Sequence, residues 1–160
     1  TEARVDASRI CITGRSSGGL TVLCALIQYP DIFCAASSSY GISDLKSLSQ
    51  HTHKYELHYT TTLMGGTYED LPGVYKARSA LHHADKIRTP LLLLQGDQDR
   101  VVAPDQSRRM ARAIESHAGK IKYIEFPSEG HGFRRSDTRQ RALEEEFAWC
   151  NDAARIPEVC

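Results

Sequence analysis

The sequence has no excess of either charge: its 160 residues include 20 lysines and arginines and 20 acidic residues. Without a positive field nothing draws it to nucleic acid, and without an acidic tract it has no solvating tail. No apolar run approaches the ~20 residues that cross a bilayer, so no membrane partner is expected. The first nine residues, TEARVDASR, lack the apolar core of a signal peptide. Cysteine is sparse and odd in number: it occurs at 11, 24, 34, 150 and 160, with no C-x-x-C pair. That pattern favours buried free thiols, core residues rather than nucleophiles at Cys24 and Cys34, and a reducing, cytoplasmic compartment. Which cysteines approach one another is not legible from the sequence. The length suits one domain with a sizeable core and is short for two.

What is present is a repeated unit of strand, loop and helix. Ile10–Thr13 reads as a short strand, and Ser17 to about Gln28 as a helix stopped by Tyr29-Pro30. A second strand is expected at Phe33–Ala36. Thr89-Pro90 introduces a third at Leu91–Leu94, whose uniform apolarity suits a strand covered on both faces. Asp105–Ala118 reads as a helix stopped by Gly119, and Ile121–Phe126 as a fourth strand. Asp137 and Gln140 are expected to cap a last helix carrying Leu143, Phe147 and Trp149. The fold class is therefore α/β, with about four parallel strands and flanking helices. An insertion at about 43–88 breaks the rhythm. It is polar, holds five of the seven histidines, and is expected to contain a short helix or two covering one end of the sheet.

In an open parallel sheet, chemistry gathers beyond the carboxyl ends of the strands. Three loops leave such ends. The first is Thr13-Gly14-Arg15-Ser16-Ser17-Gly18-Gly19, a G-x-S-x-G pattern that arises by chance in only about 0.05 chains of this length. Gly14 and Gly18 flank Ser16 as a sharp strand-to-helix elbow requires, and the Ser17 backbone N–H, at the helix start, can stabilise an oxyanion. The second loop, Asp97-Gln98-Asp99-Arg100, offers two carboxylates between which position alone does not choose. The third carries His131 between two glycines. The order Ser, Asp, His is that of an α/β-hydrolase triad. Ser16 would be the nucleophile, His131 the base, and a carboxylate would orient the imidazole. His51-Thr52-His53 and His82-His83 lack a regularly spaced third ligand. They are read as solvated or capping residues, and neither metal nor cofactor is expected.

The lead-in Val5-Asp6-Ala7-Ser8-Arg9-Ile10 before GRSSGG resembles the nucleophile region of the prolyl oligopeptidase family. The resemblance continues through YPDIFCAA, SYGISDL, THKYE, Tyr75 with Arg78-Ser79, KIRTPLLLLQGDQDRVV, Gln106-Ser107 and SEGHGF. It points most closely to the acylaminoacyl-peptidase and dipeptidyl-aminopeptidase-like members. It implies a serine peptidase acting on short, including N-acylated, peptides, and it favours Asp99 over Asp97 as the acid. A carboxylesterase with the same triad, or a non-catalytic interaction fragment, are the alternatives. Arg15 stands where the family usually has a small residue, and is assigned to substrate binding or to contact with the insertion.

The same resemblance implies that residues 1–160 form a partial α/β-hydrolase catalytic domain, its C-terminal half. A complete sheet has about eight strands, so roughly four are expected to precede this chain together with a second oxyanion donor. The first strand is then an exposed edge, expected to recruit the missing N-terminal part or a second copy, and the isolated chain is expected to be inactive.

Overall fold

The computed structural model describes residues 6–51 and 57–154. Four strands form one sheet in the order β1 (Cys11–Arg15), β2 (Ala35–Ser39), β3 (Leu91–Gly96) and β4 (Ile121–Phe126). All three pairings are parallel, with Cys11 opposite Ala35, Ala36 opposite Leu91, and Leu91 opposite Ile121. All carboxyl ends therefore share one edge of the domain. Among the described residues β1 is paired on one side only.

Helix α1 (Ser17–Gln28), helix α5 (Pro104–Ser116) and a 3-10 segment at Ala80–Lys86 cover one face. Val22, Leu23, Leu26, Met110 and Ile114 meet Leu91 and Leu93 there. The long helix α6 (Ser136–Ala154) covers the other face, where Ala142 and Trp149 meet Leu92, Leu94, Ile124 and Phe126. This explains the run of four leucines. Alternate side chains point to opposite faces and both faces are covered, so each leucine is at most 2% exposed. Burial of each contributes roughly 1.5–3 kcal/mol.

Strand β2 lies later than the sequence predicts, at Ala35–Ser39 rather than 33–36. The expected strand ends at Ala36 and leaves the three serines outside it, yet all five residues of AASSS are buried. Ser37 Oγ donates to Glu146 Oε2 at 2.9 Å, and Ser38 lies where α1 crosses closely. A Cβ on Gly19 would come 2.5 Å from Ser38 Oγ and 2.6 Å from the Gly41 Cα. Small residues are needed there for contact, not for flexibility.

The insertion holds three helices, α2 (Leu45–His51), α3 (Leu57–Met64) and α4 (Pro72–Arg78), besides the 3-10 segment, more than the one or two expected. Ile42, Leu45, Leu48, Tyr75 and Val102 give it a core of its own. Buried polar groups tie it to α5: Gln106 Oε1 accepts from the Ser43 and Asp44 N–H groups at 2.9 Å, and Arg109 pairs with Asp44 at 2.9 Å. The lead-in residue Val5, the THKYE motif, His51-Thr52-His53 and Cys160 lie outside the described residues or side chains.

Two local expectations are corrected. Helix α6 begins at Ser136, so Asp137 sits inside its first turn and does not cap it. Its carboxylate takes the Arg135 guanidinium and the Thr138 N–H, while Gln140 donates to Glu144. On the same helix Leu143 and Phe147 are 63% and 70% exposed. At the end of α5 the left-handed residue is Ala118, with φ 57°, and not Gly119. Gly119 is required because a Cβ would strike Ile114 Cγ2 at 2.5 Å.

Candidate active site

Strand β1 delivers Ser16 to its carboxyl end. The residue has φ 54°, a conformation costly for anything but glycine, held by its N–H donating to Ser39 O at 3.0 Å and by the immediate start of α1. Gly14 makes the elbow sterically feasible, since a Cβ there would collide with the Gly18 carbonyl. Gly18 itself has open space around the position of a Cβ, so the second glycine that the turn needs is Gly19. Ser17 is the first residue of α1, and its N–H has no acceptor four residues back within the helix.

The loops after β3 and β4 bring Asp99 and His131 to the same place. His131 Nε2 lies 2.9 Å from Ser16 Oγ, and Nδ1 lies 2.9 Å from Asp99 Oδ2. A carboxylate can only accept, so the proton of a neutral imidazole sits on Nδ1. That leaves the Nε2 lone pair facing the serine hydroxyl. The imidazole is 23% exposed, whereas the Asp99 side chain is wholly buried. Such an arrangement can remove the hydroxyl proton as the oxygen forms a bond to carbon.

Asp99 is immobilised from four directions. Oδ1 accepts from the Val101 and Val102 N–H groups, each at 2.9 Å, and Oδ2 accepts from Gln95 Nε2 at 3.0 Å besides His131. Gln95, fully buried, is held in turn by Ser107 Oγ, which donates to its Oε1 at 2.8 Å. Asp97 has no such environment: its Oδ1 is buried without a hydrogen-bond partner among the described residues. The geometry thus separates two carboxylates that position along the chain does not.

The His131 loop is pinned by Glu129, 1% exposed, whose carboxylate accepts the N–H groups of Arg134 at 2.8 Å and Arg135 at 3.1 Å. Burial pushes its carboxyl group up. The Arg134 N–H, the Thr138 hydroxyl and the Arg135 N–H outweigh burial and hold it below the usual carboxylate range. Gly96 lets this loop approach, because a Cβ there would strike the Glu129 carbonyl oxygen. Tyr40, directly after β2 with φ 41°, presents its ring edge-on to His131 at 5.0 Å and to Phe133 at 5.2 Å. Gln95, Glu129 and Tyr40 were given no role by the sequence. A buried amide ending an apolar strand was the available signal for Gln95.

Arg15 is exposed and lines a cavity of about 620 Å³ together with Tyr40, Phe133, Arg139 and Glu146; neither His131 nor any residue of the insertion lines it. His83 Nε2 lies 3.1 Å from Ala77 O, and His82 is exposed. Among the described residues no group of three histidine, cysteine or acidic side chains is spaced to hold a metal ion.

Known proteins with the same sequence pattern share this framework. A model of the prolyl oligopeptidase family matches residues 1–156. Dipeptidyl aminopeptidase BIII of Pseudoxanthomonas mexicana is 32% identical over 136 residues, covering 82% of this chain and 20% of its own. Esterase LipQ of Mycobacterium tuberculosis is 28% identical over 142 residues, covering 80% of this chain and 34% of its own. The solved structure of a puromycin-hydrolyzing peptidase of M. tuberculosis superimposes with a TM-score of 0.88 at 42% identity, covering 94% of this chain and 23% of that one. The chain thus spans between a fifth and about a third of these relatives' lengths. Its four parallel strands and flanking helices have the α/β-hydrolase fold of these peptidases. With the family match extending over nearly every residue, the chain belongs to the prolyl oligopeptidase family.

Proposed function

We propose that this chain supplies the catalytic residues of a serine peptidase acting on short peptides, N-acylated ones among them, as part of a larger enzyme. The observation that carries this reading is the pair of 2.9 Å contacts joining Ser16, His131 and Asp99 at the carboxyl end of one sheet. Ser16 Oγ attacks the scissile carbonyl carbon while His131 Nε2 takes its proton. The imidazolium then donates that proton to the leaving amine, and water repeats the sequence on the acyl-enzyme. Asp99 keeps Nδ1 protonated and stabilises the imidazolium. The Ser17 N–H faces the developing oxyanion, where one such donor contributes about 3–4 kcal/mol.

The names of the relatives, an aminopeptidase and a puromycin-hydrolyzing peptidase, support amide bonds as the target, and their greater length supports a larger enzyme. The one-sided pairing of β1 and the exposed Leu143 and Phe147 are where further sheet and helix would pack. For Arg15, exposed beside Ser16 at the end of β1, we propose contact with the substrate. The likeness to an esterase favours carboxylesterase as the second reading.

One experiment addresses both readings. The larger enzyme that contains this chain is labelled with a fluorophosphonate, and its turnover of an N-acyl amino-acid anilide is compared with that of the corresponding ester. Labelling should map to Ser16, Ser16→Ala should abolish it, and the anilide should be cleaved. Labelling that survives Ser16→Ala overturns the nucleophile. Cleavage of the ester alone makes the esterase reading the correct one.

A further inference from the structure

The cysteines, unused by the chemistry above, are not scattered in space. Cys11 opens β1, and Cys34 lies at the bend just before β2. Their sulfurs are 3.5 Å apart, in contact as two thiols. The backbone fixes this proximity from both sides. Cys11 is the register partner of Ala35, and the Cys34 N–H donates to Ile10 O at 2.9 Å. Both residues are half-buried in this chain. Cys150 of α6 approaches with its carbonyl oxygen 3.9 Å from Cys11 Sγ. Even so, this cluster is not among groups spaced for a metal ion. Cys24 stands apart on α1, lining an apolar groove with Leu20, Ile27 and Met64.

We propose that Cys11 and Cys34 form an oxidisable dithiol site, whose disulfide closes a covalent loop around the segment carrying Ser16. With a peroxide as oxidant, one thiol attacks a peroxide oxygen, becoming a sulfenic acid as the first water (or alcohol) leaves. The second thiol attacks that sulfur, the S–S bond forms, and the sulfenic oxygen leaves as water. Two thiols lose two hydrogens and one peroxide is reduced. A low-molecular-weight disulfide such as glutathione disulfide gives the same product by two exchanges, releasing two thiols. The loop so closed contains β1, the strained elbow and all of α1. Oxidation therefore limits the unfolded freedom of the nucleophile segment without touching the triad, and its effect is on persistence of the folded state.

Burial pushes both thiols above the ordinary range, which lowers their thiolate fraction at neutral pH, so the oxidation is slow there and speeds up as the pH rises.

Peptide mapping tests the site directly. The purified protein is treated with hydrogen peroxide or glutathione disulfide, its remaining thiols are capped with N-ethylmaleimide, and it is digested with trypsin. Cys11 then lies in the peptide 10–15, Cys24 and Cys34 in 16–46, and Cys150 in 142–155. The expected product is 10–15 joined to 16–46 through Cys34, lighter than the two free peptides by two hydrogens, with Cys24 capped and the link reversed by dithiothreitol. Cys34→Ser should abolish the link and Cys150→Ser should leave it. The oxidised wild type should melt a few degrees higher than the reduced protein. Recovery of 10–15 capped after oxidation, or its joining to 142–155 or to Cys24, overturns the proposal. The wild-type map alone decides this, even where a variant folds poorly.

Discussion

Replacing Asp99 by asparagine removes one charge and no volume, so the outcome depends on the donors that surround the carboxylate. Each oxygen of Asp99 faces two N–H donors: Val101 and Val102 on Oδ1, Gln95 and His131 on Oδ2. Asparagine has one acceptor oxygen, so its amide nitrogen must confront one of these pairs. Turned toward Val101 and Val102, it leaves two backbone donors without an acceptor, at about 1–3 kcal/mol each. Turned toward His131, it keeps both backbone bonds and meets the Gln95 amide and the imidazole. The second orientation is therefore favoured. There the amide N–H donates to Nδ1, the imidazole proton moves to Nε2, and His131 can no longer accept from Ser16. Holding the imidazole in the wrong tautomer lowers turnover by about 10⁴, or roughly 5 kcal/mol of barrier. The measurement is kcat of the larger enzyme containing this chain on an N-acyl amino-acid anilide at neutral pH, with melting temperature recorded alongside. Asp97→Asn is the control, and it should stay within a few-fold of wild type because the buried Oδ1 of Asp97 loses no hydrogen bond. An Asp99→Asn enzyme within tenfold of wild type would refute the reasoning. An inactive Asp97→Asn with an active Asp99→Asn would reverse the two roles.

Gly18→Ala should melt no lower than wild type, whereas Gly19→Ala, whose Cβ would come 2.5 Å from Ser38 Oγ, should melt several degrees lower by calorimetry. Gln95→Leu should lower kcat more than it raises KM and leave Ser107 without its acceptor. Partial rescue by Gln95→Asn, which keeps an amide on a shorter stem, would mark Gln95 as a positioning residue. Glu129 has its carboxyl group held low in the folded protein, so its contribution is complete above the unfolded value of about 4.3 and fades as the pH falls through the folded one. Urea titrations of wild type and Glu129→Gln should accordingly differ clearly at pH 7, and the difference should shrink below about pH 4.

How much was legible in advance depended on whether a position is set by its own neighbours in sequence or by a distant element. Leu91–Leu94 declared a doubly covered strand because burial on both faces leaves no polar position to disguise the pattern. The G-x-S-x-G elbow was legible for a related reason: a tight turn imposes local sterics, and Gly14 meets them within four residues of chain. Local reading placed β2 too early. Ser37–Ser39 have the composition of a loop and are buried strand where α1 packs closely, Gly19 lying against Ser38 and against Gly41 just beyond the strand. It failed again at Asp137, where a good capping residue is taken up by Arg135 two residues earlier. Leu143 and Phe147 show the converse case: an apolar helix face whose burial needs surface from elsewhere stays exposed at 63% and 70%. The choice between Asp97 and Asp99 has the same logic. Both carboxylates follow one strand in one loop, and only the fold brings Gln95, Val101, Val102 and His131 around one of them. A motif in sequence names the types of residue that a reaction needs. Which of two identical residues can serve is decided by the hydrogen bonds that reach it from elsewhere in the fold.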